Sequence, residues 1–245
     1  AIALGAGASG VLNQWFDKDI DILMERTKNR PIPSGKIQSS EALSFGIITS
    51  ILSIIILGLS INWLAASFLA FTIFFYAVVY TIWLKRHTVQ NIVIGGAAGA
   101  FPPIIGHICA TGSIGIEALI LFLIIFLWTP PHFWALALIN KSDYRAAKIP
   151  MLPIIYGDMA TRKNIFIYSL LLMPCAYLPW ILNYSGNFYM IVVTLLNIEF
   201  IRRSISVLKE NKDSEKGLFV YSIFYLSILF ASICFDKLIS NFMIG

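Results

Sequence analysis

Apolar runs recur along this chain, near residues 42–62, 63–84, 91–111, 117–139, 165–183, 188–201 and 217–235. Most are close to the ~20 residues that a helix needs to cross the hydrocarbon core of a bilayer. Backbone amides and carbonyls find no water there, so each run must pair them within itself, as an α-helix does. Composition agrees: 58% of the residues are hydrophobic and 13% are charged, against about 25% charged in a typical soluble domain. The opening, AIALGAGASGVL, is apolar but too short to span. It has no Met and no charged leading region, so it is not a signal peptide; it reads as the end of a helix whose start is missing. The expected fold is all-α: a multi-pass transmembrane helix bundle of seven complete spans plus the end of another. It would form one membrane-embedded domain over residues 1–245.

The cations define a topology. Residues 13–41 hold five Lys and Arg, the turn after 63–84 holds Lys85 and Arg86, and residues 140–164 and 202–216 hold five each. These are 17 of the 18 basic residues, Lys237 being the exception. Two spans separate each basic segment from the next, so all four lie on one side of the membrane. The loops around 60–62, 111–117 and 183–187 carry no Lys or Arg. By the positive-inside rule the charged side is cytoplasmic. Orientation therefore accounts for the net charge of +5 without a nucleic-acid partner. Cys109, Cys175 and Cys234 each lie alone in an apolar run and read as packing residues, because no CxxC or His/Cys metal spacing is present.

Orientation needs only bases, so acids gathered at the membrane edge need another reason. In NQWFDKDIDILMERTKNRPIPSGKI, Asn13 to Ile37, the side chains of Asn13, Asp17 and Asp21 are spaced i, i+4, i+8 and share one helix face. Three hard oxygen donors at a helix end suit Mg²⁺, which takes carboxylates, waters and substrate phosphates. A calcium loop starting at Asp17 is excluded, because Ile22 stands where Gly is required and Lys28 where Glu is required. Arg26 and Arg30 follow, and the guanidinium fork suits phosphate oxygens. Acids for a metal and arginines for phosphate are the parts of a diphosphate site. The same pattern would arise in an interfacial loop whose charges only neutralise each other. Asp19 points off the shared face and is expected to do no more than stay in water.

Lys85 and Arg86 close the 63–84 run, where snorkelling at the interface explains them equally well. Residues 141–164 again mix acid and base, in Asp143, Arg145, Lys148, Asp158 and Arg162. A second acidic segment facing the first would complete a two-sided clamp that stabilises charge on a leaving diphosphate. Between the two, Gly95 and Gly99 form a GxxxG pair that permits close helix approach. Pro102–Pro103 and Pro130–Pro131 are expected to interrupt two spans, which is tolerated where neighbours or a cavity satisfy the freed backbone groups. His132 lies inside the 117–139 run, and an ionisable residue at that depth is a functional candidate. A neutral His bonded to a neighbouring carbonyl is the other reading. His107 lies near the uncharged side.

At these residues the sequence resembles the intramembrane prenyltransferases of the UbiA type, and within them the branch that acts on haem. The likeness is carried by NxWxDxDID with MxRTxxRPxPxG, by YTxxLKRxTxxNIxIGGxAGAxPPxIG, by WTPPHFWALA, and by DYxxAxxPMLPxxxG followed by TR, in that order between residues 13 and 162. The resemblance implies nine transmembrane helices around a cavity, of which this chain lacks the first and most of the second. A chain of this length is then expected to be inactive or unstable, because the missing helices should wall the cavity. The implied reaction moves the farnesyl group of farnesyl diphosphate to the 2-vinyl group of haem B, with addition of water, giving haem O and diphosphate on the way to haem A. Haem B is a substrate in this scheme and Mg²⁺ the cofactor, with a downstream haem A synthase or oxidase assembly factors as further partners.

Carried over residue by residue, Asn13, Asp17 and Asp21 would hold Mg²⁺, and Asp17, Asp21 and Asp143 would be catalytic. Arg26, Arg30, Lys85, Arg86, Arg145, Lys148 and Arg162 would bind the diphosphate, the last three being open to haem propionates instead. His132 would contact haem. The wider family has a second Asp four residues after the position of Asp143, where this chain has Ala147. The haem-directed branch shares that departure.

A relative acting on an aromatic quinone precursor is disfavoured by WTPPHFW and by the missing second acid. A transporter would place ionisable groups near the midplane, whereas these acids gather at one edge. No Ser/His/Asp or Cys/His nucleophile pair is present, and ionisation of an allylic diphosphate needs none. The lean chain favours a bacterial cell inner membrane over a mitochondrial inner membrane, with the active-site loops on the cytoplasmic side.

Overall fold

The computed structural model describes the backbone of residues 1–244 and the side chains of residues 1–238. Among these residues the regular structure is entirely helical. Helix α1 (Ile2–Phe16) and the short α2 (Lys18–Asp21) lead through a loop to α3 (Ser39–Ser60). Helix α4 (Trp63–Phe74) runs on into a π-helical segment (Phe75–Leu84) and a last turn, α5 (Lys85–His87). Then come α6 (Asn91–Ala100), α7 (Pro102–Thr111) and α8 (Ile116–Ile139), followed by the loop helices α9 (Lys141–Ala146) and α10 (Leu152–Ile155). Three long helices complete the chain: α11 (Asp158–Ile181), α12 (Asn187–Leu208) and α13 (Ser214–Ile244).

Among the described residues six stretches are long and apolar enough to cross a membrane: Ser39–Ser60, Trp63–His87, Asn91–Thr111, Ile116–Ile139, Asp158–Ile181 and Ser214–Leu238. The sequence reading expects seven. The difference is α12, which has 22 residues but carries Glu199, Arg202 and Arg203 in its second half. These charges satisfy one another along the helix, Glu199 pairing with Arg202 at 2.5 Å and Arg203 at 2.6 Å. Helix α12 is nevertheless part of the bundle, packed on α11 and α13.

Helix α1 packs against α3 and the π segment, the π segment against α6, and α6 against α8, which in turn meets α11 and α13. Phe45, Leu59, Leu195 and Ile198 are turned outward and exposed. So much apolar exterior would associate in water, and it is the surface that acyl chains cover.

Phe101 separates α6 from α7, and Pro102 opens α7, where a missing N–H leaves no hydrogen bond unmade. At Pro130–Pro131 the expected interruption does not occur, and α8 runs through both residues. There the Thr129 hydroxyl donates to the Ile125 carbonyl at 2.8 Å, engaging a backbone acceptor beside the gap in the helical ladder. The glycine pair also differs from a plain helix contact. A Cβ on Gly95 would lie 2.2 Å from Tyr80 Cδ2, whereas Gly99 has nothing within 4 Å. Gly95 is thus a seat for one ring.

The four basic segments meet at one end of the bundle, as their spacing requires. Asp17 and Asp19 are ion-paired to Lys85 and Arg86, and the Arg26 N–H bonds to Asp143. Lys141 pairs with Asp158, and Arg162 pairs with Glu210 and Glu215.

Candidate active site

Helix α1 ends at Phe16, and Asp17 takes φ −87° and ψ 9° before α2 begins. The break is slight, because the Asp21 N–H still donates to the Asp17 carbonyl at 2.8 Å. Asn13, Asp17 and Asp21 therefore keep their common side. Asn13 Nδ2 donates to Asp17 Oδ2 at 2.9 Å and to Thr81 Oγ1 at 3.1 Å. Asp17 and Asp21 are 0% and 1% exposed, and carboxylates taken so far from water need cations. Lys85 pairs with Asp17, and Arg86 approaches it at 3.2 Å. Arg30 Nη1 donates to Asp21 Oδ2 at 2.8 Å.

Asp19 is solvent-exposed yet does more than stay in water. It accepts from Nη1 and Nη2 of Arg86, both at 2.8 Å. That two-pronged hydrogen bond holds its carboxyl below the usual carboxylate range.

The π-helical segment decides which side chains face Asp17. Tyr76, Tyr80 and Lys85 all line one cavity. In an α-helix, at about 100° per residue, positions nine apart fall on opposite faces. Turns closed by i→i+5 bonds take between four and five residues, so positions 76, 80–81 and 85 come round to the same face. The Thr81 hydroxyl spans one such turn, donating to the Tyr76 carbonyl at 2.8 Å.

The cavity they line measures about 160 Å³. Asn13, Asp21, Arg26, Arg30 and Lys85 supply its charged and polar side, and Tyr76, Tyr80, Phe133 and Tyr144 its aromatic side. Two apolar cavities adjoin it. One, of about 320 Å³, shares Tyr76, Tyr80, Ile92 and Phe133 and continues past Gly95, Gly99, Trp128 and Leu226. The other, of about 210 Å³, shares Tyr76 and runs between Gly5, Leu69 and Pro102. Asp143 reaches this region by accepting the Arg26 N–H at 3.3 Å. The neighbouring Tyr144 is buried, which pushes its phenol pKa up despite the nearby positive charge of Arg26.

Other expected site residues do not line these cavities. Arg86 is held by Asp17, Asp19 and the Phe16 ring, 4.6 Å from its guanidinium carbon. Arg145, in the last turn of α9, and Lys148, just after that helix, are exposed. Arg162 is occupied by Glu210 at 2.6 Å and Glu215 at 2.8 Å. His132 Nδ1 lies 2.7 Å from Ser222 Oγ, and the ring stacks between Trp128 and Phe219 in the packing of α8 against α13. None of these five lines the three cavities.

Conversely, Tyr76, Tyr80, Thr81 and Tyr144 were not among the expected site residues. Tyr80 and Thr81 open the stretch YTxxLKR and Tyr144 lies in DYxxA, and the i, i+4 tyrosines lead to Lys85; none of this gives Thr81 its partner, which lies 68 residues away.

Among the described residues no group of three or more His, Cys, Asp and Glu could hold a metal alone. The donor set nonetheless fits Mg²⁺, which is commonly bound through one or two carboxylates together with substrate phosphates. Asp17, Asp21 and the Asn13 amide oxygen are such a set.

A model of the UbiA prenyltransferase family matches residues 1–229. Over 246 residues the chain is 54% identical to "Protoheme IX farnesyltransferase 2" of Mesorhizobium japonicum, covering 98% of this chain and 78% of that one. It is 53% identical to the protoheme IX farnesyltransferase of Bartonella henselae, covering 99% and 80%. Among solved structures, that of a digeranylgeranylglyceryl phosphate synthase superposes with a TM-score of 0.78 at 25% identity, over 95% of this chain and 81% of that one. A UbiA homologue from Archaeoglobus fulgidus bound to GPP and Mg²⁺ superposes at 0.59 with 15% identity, over 95% and 84%, a likeness of fold. With six apolar helices and this match, the protein is an integral multi-pass membrane protein. The chain belongs to the UbiA prenyltransferase family.

Proposed function

We propose that this protein transfers the farnesyl group of farnesyl diphosphate to the 2-vinyl group of haem B, with addition of water, giving haem O and diphosphate. The observation that carries the reading is one small cavity where Arg26, Arg30 and Lys85 meet Asn13 and Asp21, opening beside two apolar cavities. An anionic head with an apolar tail and a flat apolar acceptor are the substrates such a site suits. The protohaem IX farnesyltransferases of similar sequence support the choice of acceptor.

Without substrate, Lys85 and Arg30 neutralise Asp17 and Asp21. An entering diphosphate competes for both cations, and the carboxylates they release, with Asn13, would hold Mg²⁺, whose positive charge would help offset that of the diphosphate. The carbon–oxygen bond of farnesyl diphosphate breaks with its electron pair on the diphosphate, and Arg26, Arg30 and Lys85 stabilise that growing charge. The vinyl π electrons then form the carbon–carbon bond, and the positive charge passes to the carbon next to the porphyrin. Water adds there and loses a proton. Tyr76 and Tyr80 offer ring faces to cationic carbon, and the apolar walls limit premature capture by water. Asp143 holds the Arg26 backbone in place.

The whole of residues 1–245 acts as one domain in this scheme, with the charged end facing the cytoplasm of a bacterial cell.

The test is reconstitution of the full-length protein in proteoliposomes with haem B, farnesyl diphosphate and Mg²⁺, followed by mass spectrometry. Haem O that requires Mg²⁺ and disappears with Asp17→Ala and Asp21→Ala is expected. Prenylation of 4-hydroxybenzoate but not haem would overturn the reading.

A further inference from the structure

We infer that Thr81 is a positioning residue that orients the Asn13 side chain so that its amide oxygen faces the diphosphate cavity. The inference rests on the proposed metal-assisted reading of that cavity. Thr81 is 0% exposed and lies in the π-helical segment, 68 residues from Asn13 in the chain. Its hydroxyl hydrogen is committed, because Oγ1 donates to the Tyr76 carbonyl at 2.8 Å. Only the lone pairs of Oγ1 remain, so what approaches at 3.1 Å must be a donor, and that is Asn13 Nδ2. The other neighbour of the amide imposes the same end. Asp17 Oδ2 lies 2.9 Å from Nδ2, and an ionised carboxylate only accepts. Both amide hydrogens are thereby used, one on the carboxylate and one on Thr81. The Oδ1 lone pairs are left for the cavity that Asn13 lines.

A rotated amide would set Oδ1 against the Asp17 carboxylate and aim two donors at the metal position. One acceptor alone permits that rotation at a modest cost; two acceptors at an angle forbid it. The acceptor role of Thr81 depends on the π turn, since the i−5 carbonyl of Tyr76 takes the hydroxyl hydrogen. The hydrogen bond therefore joins two neighbouring helices, tying the register of the π segment to the face of α1 that carries Asn13, Asp17 and Asp21.

The test compares Thr81→Val with Thr81→Ser in detergent, titrating Mg²⁺ against thermal stability in the presence of inorganic pyrophosphate, with no turnover involved. Outer partners of metal ligands typically govern affinity by about 10- to 100-fold. Thr81→Val should shift the Mg²⁺ midpoint to at least about tenfold higher concentration. Thr81→Ser, which keeps the hydroxyl, should titrate like the parent, and a purely structural role would lower both baselines without moving the midpoint. Should Thr81→Val not fold, Thr81→Cys, with its weak donor and acceptor, carries the same comparison. A Thr81→Val midpoint equal to the parent's overturns the inference and leaves the proposed function standing. A parent protein that does not respond to Mg²⁺ and pyrophosphate overturns both.

Discussion

The backbone N–H of Arg26 donates to the carboxylate of Asp143 at 3.3 Å, tying together two acidic segments 117 residues apart. Hydrogen bonds to charged groups contribute about 1.5–3 kcal/mol, and each 1.4 kcal/mol is about tenfold in rate. Asp143→Ala should therefore reduce kcat/KM for farnesyl diphosphate by roughly 10- to 100-fold. Asp143→Asn, which keeps an acceptor, should retain most activity. Equal losses in the two variants, measured by haem O formation, would mean that the charge rather than the anchor matters.

Lys85 lies against a carboxylate that is fully removed from solvent. Removing one partner of a buried ion pair costs about 3–5 kcal/mol. Arg86 remains 3.2 Å from Asp17, so Lys85→Met should fall at the lower end, about 3 kcal/mol. Adding Asp17→Asn should recover much of that, because the stranded charge is gone. Thermal unfolding of the three variants in detergent checks this coupling.

Gly95 and Gly99 should respond differently to the same methyl group. A Cβ at Gly95 would stand 2.2 Å from the Tyr80 ring, and overpacking of this kind costs about 1–3 kcal/mol. Gly95→Ala should lose stability together with activity, as Tyr80 is pushed from the cavity wall. Gly99→Ala meets nothing within 4 Å and should fold normally while narrowing the apolar cavities. Its expected signature is a raised KM with unchanged thermal stability.

Deleting Val78 would shorten the π segment by one residue and favour ordinary α winding. Lys85 would then stand about 80° round from the face of Tyr76, after eight residues at about 100° each. The variant should remain helical by circular dichroism but lose at least about 100-fold in turnover, the scale expected when a catalytic group is displaced by an ångström or so. Retention of parental activity would show that the π register is not needed.

Two groups near the site set a pH expectation. Asp19 has a lowered pKa because of Arg86, so its contribution is present above the usual carboxylate range and is lost as pH falls through the lowered value. The phenol of Tyr144 is shifted above the ordinary phenol value by burial. Neither should titrate between pH 5 and pH 8 in a pH–rate profile. Asp19→Asn, at an exposed pair, should cost no more than about 0.2–1 kcal/mol.

Long-range placement separates what was legible in the sequence from what was not. The apolar runs and the loop count of Lys and Arg determined the helical bundle and the meeting of the four basic segments at one end. Each follows from a local cost: an unpaired backbone group or a charge in lipid. The spacing of Asn13, Asp17 and Asp21 likewise determined a shared face, which survives the small break at Asp17. The partners of those acids were beyond local reasoning. Arg162 and Arg30 look alike as cations, yet one is spent on Glu210 and Glu215 and the other on Asp21. His132 at membrane depth reads either as a haem contact or as a histidine bonded to a neighbour, and helix packing gives it Ser222 and two stacked rings.

The tertiary structure alone decided the winding of residues 75–84. An apolar run reads the same whether its turns close at i+4 or i+5, because hydrophobicity reports the environment and not the hydrogen-bond register. That register brings Tyr76, Tyr80 and Lys85 to one face and sets Thr81 against Asn13. The sequence determined that the chain crosses a membrane and where its charges gather; which charge meets which was decided by how the helices pack.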